Sequence, residues 1–376
     1  MPRFFATCAR GLEPILAWEL ETLHAADITV GRGGVSFAGE IDLLYRANLW
    51  LRTAVRVLQP ILEFPVRSTD ELYDAVRSLH WPDFMSPDHT LAVDSNVRDS
   101  LITHSQYAAR RVKDGICDQF RELAGRRPSV DTETPMIGIN LHISRNKGIL
   151  SLDTSWNSLH KRGYRPALTR APLNEALAAG LLLSTGWFGD VPLVDFMCGS
   201  GTFPIEAAWI ATHRPPGLTR KWFGFMGWPS FDRQLWNAIR DDARDKVATV
   251  CPTTIIGSDI RRDVVDFAIN NAKTAGVGGI VPFHRLDLNE TRPPDGPPGI
   301  LICNPPYGER IGDESELIRD YQMIGEAAGR NWPGWRLLVF TSNDMLARNV
   351  GLPVERRTPF YNGSLACNLW EYHTGG

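Results

Sequence analysis

The chain has no apolar run near the roughly 20 residues that a membrane-crossing helix needs; the longest, around Leu177–Leu183, is far too short. Its first residues, Met1-Pro2-Arg3-Phe4-Phe5, lack the apolar core of a secretory leader. The cysteines, Cys8, Cys117, Cys198, Cys251, Cys303 and Cys367, are scattered, and none forms a C-x-x-C pair. That pattern argues against a disulfide framework and against a zinc site. The histidines show no ligand spacing either, so no metal is expected. Net charge is small, with 40 Lys+Arg against 43 Asp+Glu. This excludes a protein held to nucleic acid by bulk charge, but not one with local basic strips. A soluble, cytoplasmic and monomeric protein is expected.

What remains is a chain of 376 residues, 43% of them hydrophobic, which excludes extensive disorder and suggests two or three domains. The first half reads as small α+β units. Phe4–Thr7 is a strand, Ile15, Leu16, Leu20 and Leu23 mark a helix, and Ile28–Phe37 is a hairpin with glycines at its centre. A helix follows over Ile41–Leu51. The pattern then restarts with Val55–Leu62, Thr69–Leu79, Thr90–Val97 and a long helix, Ser105–Leu123. That helix carries Ala108, Val112, Ile116, Phe120 and Leu123 on one stripe. Ile137–Ile143 and Ile149–Asp153 pair through Arg145-Asn146-Lys147-Gly148.

Two basic strips stand out. One is the polar side of the long helix, with Arg110, Arg111, Lys113 and Arg121. The other runs from Arg145 to Arg170 and sets six basic side chains against Asp153 alone. Each reads either as a solvated surface or as an RNA contact. The candidates for RNA contact are Arg110, Arg111, Lys113, Lys161, Arg162 and Arg165.

The texture changes near residue 160. After an apolar helix over Pro172–Leu183, short apolar strands alternate with helices: Leu193–Phe196 with Pro204–Thr212, and Thr254–Ser258 with Asp263–Ala275. Ile280–Arg285, Gly299–Cys303, a helix over Leu317–Gly329 and a strand over Trp335–Thr341 complete the series. Such repetition predicts a parallel sheet covered on both faces. The boundaries expected are 1–54, 55–158 and 159–376.

Val194-Asp195-Phe196-Met197-Cys198-Gly199-Ser200-Gly201-Thr202 follows one buried strand and precedes a helix with Pro204 in its first turn. Gly199 and Gly201 permit close backbone approach, but no Walker lysine or third glycine completes a phosphate cradle. The turn suits a ligand with an aminoacyl group, such as S-adenosylmethionine. Asp259 and Asp287 end the next two strands, where they can receive ribose hydroxyls and an adenine amine. One strand-end Asp reads as a cap or turn former; three at one sheet edge read as a ligand site. Asp259 lies far beyond the roughly 20-residue spacing of a compact βαβ unit. The excess holds Trp222, Phe223, Phe225, Trp228, Phe231 and Trp236, which read as a satellite core or as an active-site wall.

Asn304-Pro305-Pro306-Tyr307-Gly308-Glu309-Arg310 follows another buried strand. Alone it could be a β-turn. Behind the glycine bend it offers more. The Asn304 amide oxygen and Pro305 carbonyl can accept both N–H bonds of a planar amine, the prolines stiffen the loop, and Tyr307 supplies a face for stacking. Cys198 and Cys303 flank these loops without a histidine partner and read as packing residues. No G-x-S-x-G or H-E-x-x-H signature competes.

The pairing of D-x-x-C-G-S-G-T with N-P-P-Y resembles class I amino methyltransferases. Phe4-Phe5-Ala6-Thr7-Cys8-Ala9-Arg10-Gly11-Leu12-Glu13, Thr103-His104-Ser105-Gln106 with Val112-Lys113-Asp114, Leu159-His160-Lys161-Arg162-Gly163-Tyr164-Arg165, Ala171-Pro172-Leu173-Asn174-Glu175 and Tyr361-Asn362-Gly363-Ser364-Leu365 resemble THUMP-containing RNA methyltransferases. Across nearly the whole chain the likeness is to bacterial large-subunit rRNA guanine-N2 methyltransferases. It implies an α/β fold: a Rossmann-like methyltransferase domain preceded by α+β ferredoxin-like and THUMP domains that grip RNA. The donor would take Asp195, Gly199, Gly201, Asp259 and Asp287, with Cys198, Ser200, Thr202, Ile260 and Leu288 beside them. Asn304, Pro305, Pro306 and Tyr307 would serve the target base. Phe196, where proline is usual, and Phe203-Pro204, where aliphatics are common, are departures that remove no reacting group. The second methyltransferase module of bifunctional relatives does not follow Gly376, so its 7-methylguanine activity is not expected.

The resulting expectation is methyl transfer from S-adenosylmethionine to N2 of a guanine in structured RNA, in 23S rRNA or a ribosome precursor. Guanine-N2 methylation of tRNA, adenine-N6 methylation of RNA or DNA, and a noncatalytic RNA-binding role are the alternatives.

Overall fold

The computed structural model describes residues 1–165, 173–307 and 314–375. Two sheets organise them. The first half contributes β1 (Arg3–Cys8), α1 (Glu13–Thr22), β2 (Ala26–Gly31), β3 (Gly34–Ala38), α2 (Ile41–Trp50) and β4 (Ala54–Pro65). It continues with α3 (Thr69–Arg77), β5 (Thr90–Arg98), α4 (Ser105–Ala124), β6 (Ser129–Val130), β7 (Ile137–Ser144) and β8 (Lys147–Asp153). These strands form one sheet in the order β2-β3-β1-β4-β8-β7-β5-β6. The expected restart at Val55 is therefore a shared strand: β4 pairs with β1 on one side and with β8 on the other.

Local chemistry accounts for the elements. Arg145 and Asn146 both adopt positive φ, the backbone of a two-residue turn whose twist matches the β7–β8 hairpin. On α4, Ala108, Val112, Ile116 and Phe120 are buried, and the larger of these each contribute about 1.5–3 kcal/mol through burial. Leu123, expected on the same stripe, is instead 60% exposed. Residues 121–127 are exposed throughout, so the helix has run past the core it covers.

The second half contributes α5 (Glu175–Ser184), β9 (Leu193–Asp195), α6 (Thr202–Ala211), α7 (Arg233–Asp245), β10 (Ile255–Asp259), α8 (Arg262–Thr274) and β11 (Phe283–Arg285). Then come β12 (Ile300–Cys303), α9 (Glu314–Asn331), β13 (Arg336–Thr341), α10 (Asp344–Arg348), β14 (Val354–Asn362) and β15 (Leu365–His373). The sheet order is β11-β10-β9-β12-β13-β15-β14. The five strands from β11 to β13 are parallel, as the alternation predicts. The antiparallel β14–β15 hairpin was not foreseen as strands. Because β10 lies on one side of β9 and β12 on the other, their connections diverge at β9, which opens a crevice at the strand ends. No described helix is long and apolar enough to cross a membrane.

The aromatic segment before α7 joins the halves. Tyr45 of α2 packs at 4.5 Å from the Phe225 ring and 5.8 Å from Trp236, and its hydroxyl accepts from the Asp232 N–H at 3.0 Å. The Phe225 N–H donates to the Thr154 carbonyl at 3.0 Å. Phe223, Phe225, Trp228 and Trp236 are buried core, Trp222 is exposed, and none of the six aromatics lines the crevice.

Candidate active site

Register brings the motifs together. Asp195 at the end of β9 lies opposite Gly257 of β10 and Ile302 of β12, and Asp259 lies opposite Arg285 of β11. All three acidic residues therefore emerge at one sheet edge. A cavity of about 510 Å³ opens there, within the roughly 300–1,000 Å³ typical of small-molecule sites. Asp195, Cys198, Gly199, Ser200 and Thr202 line one side, and Asn304 lines it from β12.

The bend is built by glycine and aspartate. Gly199 has φ +50°, and a side chain there would enter open space. Gly201 has φ +82°, and a methyl there would stand 3.0 Å from the Phe283 ring, so this glycine serves packing and helix entry. Asp259 fastens the bend: Oδ2 accepts from the Gly199 N–H and Oδ1 from the Arg261 N–H, both at 3.0 Å. Asp195 is 2% exposed and accepts from the Met197 N–H at 3.1 Å. Among the described residues it has no cationic partner. Burial pushes its carboxyl well above the usual range, and the nearby Asp259 adds to the rise. An uncompensated acid beside open space over Gly199 fits a ligand that carries an ammonium group. Burial also raises the Cys198 and Cys303 thiols, as suits packing residues.

On the opposite loop, the Asn304 Oδ1 atom is enclosed yet accepts no hydrogen bond among the described residues. Such an acceptor costs about 1–3 kcal/mol unless something fills it. Pro305 is buried behind it, and Pro306 and Tyr307 are half-buried. The Tyr307 hydroxyl accepts from Asn362 Nδ2 at 3.4 Å, and burial pushes its pKa up to about 12. Tyr307 thus leans on the β14–β15 turn rather than lining the cavity. That turn also meets the first domain: Arg10 stacks over Tyr361 at 4.1 Å, and the Tyr361 N–H donates to the Arg10 carbonyl at 3.1 Å. Gly308, Glu309 and Arg310, like Ala171 and Pro172, lie outside the described residues.

Other expected donor contacts sit further out. Asp259, Ile260, Asp287 and Leu288 border the same edge without lining the cavity. Ile260 is 59% exposed, and Asp287 caps a short turn by accepting from the Asn289 N–H at 2.9 Å. Several residues that do line the cavity escaped the sequence reading: Leu173, Met197, Phe203, Arg261, Asp263, Val264 and Phe267. A signal for the last three existed, since positions 263, 264 and 267 share one face at the start of α8.

The basic candidates divide. Arg110 and Lys161 are exposed, and Arg110 borders a shallow hollow at the start of α4. Arg111 stacks on Tyr73 and pairs with Asp70, and Lys113 pairs with Asp114. Arg162 and Arg165 differ from that expectation: their side chains are 1% and 8% exposed and face Glu206 and Glu175 rather than solvent. Among the described residues no cluster of His, Cys, Asp and Glu could hold a metal.

Comparison with known proteins places this arrangement. The chain matches the RlmL ferredoxin-like domain over residues 3–58, the THUMP domain over 66–153 and the RMKL-like methyltransferase domain over 162–371. It is 43% identical to a ribosomal RNA large subunit methyltransferase K/L from Syntrophotalea carbinolica over 98% of the chain, and 41% identical to another from Methylococcus capsulatus. It spans about half the length of these relatives, 53% and 50%. It is 41% identical to slr0064 of Synechocystis sp., covering 98% of the chain and 96% of that protein. Among solved structures, SMU.472 complexed with SAH superposes with a TM-score of 0.90 at 31% identity, covering 100% of this chain and 98% of that one. A Listeria monocytogenes protein named a predicted N6-adenine-specific DNA methylase superposes at 0.88 with 32% identity, over 100% and 96% of the two chains. The chain belongs to the RMKL-like methyltransferase family, an S-adenosylmethionine-dependent group, and carries the RlmL ferredoxin-like and THUMP domains ahead of its class I methyltransferase domain.

Proposed function

We propose that the protein methylates the exocyclic N2 amine of a guanine in structured RNA, with 23S rRNA as the substrate. The observation that carries this reading is the unfilled Asn304 Oδ1, which shares one cavity with the open bend at Gly199. Bound S-adenosylmethionine supplies an electrophilic methyl group. Asp195 pairs with an ammonium, Gly199 leaves room beside it, and Asp259 holds the bend and offers remaining lone pairs to hydroxyls. Asn304 Oδ1 and the Pro305 carbonyl accept the two N–H bonds of the target amine. They fix its nitrogen for attack and face the positive charge that develops on it; alignment of this kind is worth up to about 7–11 kcal/mol. A guanine reaches this loop by leaving its stack, and Tyr307, tied to the β14–β15 turn, braces the loop from behind.

RNA as substrate is supported by the THUMP domain and by the names of the two K/L relatives. In this reading residues 1–54 and 55–158 grip the RNA, Arg110 among them, with Lys161 just past their boundary, and residues 159–376 carry out the transfer. The name of the Listeria relative favours a second reading, adenine-N6 methylation, because the same two acceptors suit any planar amine. Asn304→Ala tests the chemistry common to both. Turnover is expected to fall on the order of 10²-fold or more, the scale of losing one aligned transition-state hydrogen bond. SAH binding by calorimetry should stay at the wild-type level. Unchanged turnover would remove Asn304 from the mechanism.

A further inference from the structure

Arg162 and Arg165, expected from sequence to contact RNA, turn inward with Tyr164 and grip helix α6. Arg165 Nη2 donates to the Leu173 carbonyl at 2.8 Å and to Thr202 Oγ1, while Nη1 lies 3.5 Å from Glu175 Oε1. One turn further along α6, the Tyr164 hydroxyl donates to Glu206 Oε1 at 3.1 Å, and Arg162 Nε lies 3.6 Å from the same oxygen. Glu206 is fully buried. Buried ion pairs are a poor source of stability, since desolvation offsets most of the attraction and apolar residues of similar volume often serve as well. The geometry suggests another use. Leu173 and Thr202 stand on different chain segments, and both line the cavity. Nη2 bridges them while Nη1 faces Glu175, a spread of donors over two rigidly held nitrogens that the single nitrogen of a lysine ammonium does not reproduce.

We infer that Arg165 is a positioning residue for the methyl donor: it fixes Thr202, at the start of α6, and Leu173 at the separation the donor requires, and it makes no contact with RNA. The inference rests on the reading that this cavity holds the donor.

The test uses the full chain, with SAH as the calorimetric probe and RNA affinity measured across a KCl series. Arg165→Lys is expected to weaken SAH binding about tenfold, the scale of one charge-assisted hydrogen bond, with little change in melting temperature. Arg165→Gln removes the charge that lysine keeps, and its salt slope for RNA should still match wild type, because no phosphate contact is lost; loss of one such contact would lower that slope by about one. Thr202→Val leaves every charge in place and should also weaken SAH. The double variant should bind SAH about as well as the weaker single variant, since both changes break one link. If Arg165→Lys lowers the melting temperature substantially, Thr202→Val alone carries the test. Wild-type SAH affinity in Arg165→Lys or in Thr202→Val, strictly additive losses in the double variant, or a reduced salt slope in Arg165→Gln would each overturn the inference. Failure of the wild-type chain to bind SAH would instead overturn the donor reading of the cavity.

Discussion

Asp195→Asn should separate the stability of the protein from its affinity for the donor. Asp195 is buried, accepts from one backbone N–H, and has its pKa raised by burial first and by Asp259 second. Its folded-state pKa therefore lies above the unfolded value. Its contribution to the stability of the ligand-free protein is complete below the ordinary carboxylate range and is lost as pH rises through the folded value. Donor binding has the opposite sign, because an ammonium pairs with the ionised carboxylate, so affinity should rise over the same window. Asparagine removes the titration. The ligand-free variant should melt no lower than wild type near neutral pH, and its melting temperature should not respond to this window. Its affinity for SAH should fall by one charge-assisted hydrogen bond, about 1.5–3 kcal/mol or roughly 10- to 150-fold. Melting curves with and without saturating SAH, together with calorimetry at several pH values, read all of these effects. Unchanged SAH affinity in Asp195→Asn, or wild-type affinity that falls as pH rises, would refute the pairing.

Two further outcomes follow from the same geometry. Gly199→Ala places a methyl toward open space at φ +50°, so it should weaken SAH with a stability cost of only about 1–2 kcal/mol; Gly201→Ala adds a contact 3.0 Å from Phe283 and should melt lower, as paired melting and calorimetric measurements would show. Trp236→Ala removes a 2%-exposed ring between the two halves and should cost about 3–5 kcal/mol in urea unfolding while leaving the cavity lining intact.

Sequence patterning reached most of the fold because its strands and helices state their periods openly. The glycine bend and the Asn304 loop end adjacent parallel strands, and short apolar runs with strand-end acids announce that arrangement. The shared strand β4 was not legible, since nothing in Ala54–Pro65 tells one partner from two. Charge misled in the segment from Lys161 to Arg165: composition records three charges close to solvent-friendly Gly163, whereas Glu206 and Glu175, distant in sequence, draw Arg162 and Arg165 inward. The aromatic segment supplied its own apolar partners but not their location, which depends on Tyr45 almost two hundred positions earlier. Arg261 stayed hidden because it stands just before α8, outside the helical face that Asp263, Val264 and Phe267 share.

The most direct measurement is nucleoside mass spectrometry of large-subunit rRNA incubated with the protein and isotopically labelled S-adenosylmethionine, run beside the Asn304→Ala variant. Labelled N2-methylguanosine with wild type, and its loss with the variant, is the predicted result. Label in N6-methyladenosine, or equal N2-methylguanosine from both proteins, would contradict the assignment of that loop to a guanine amine.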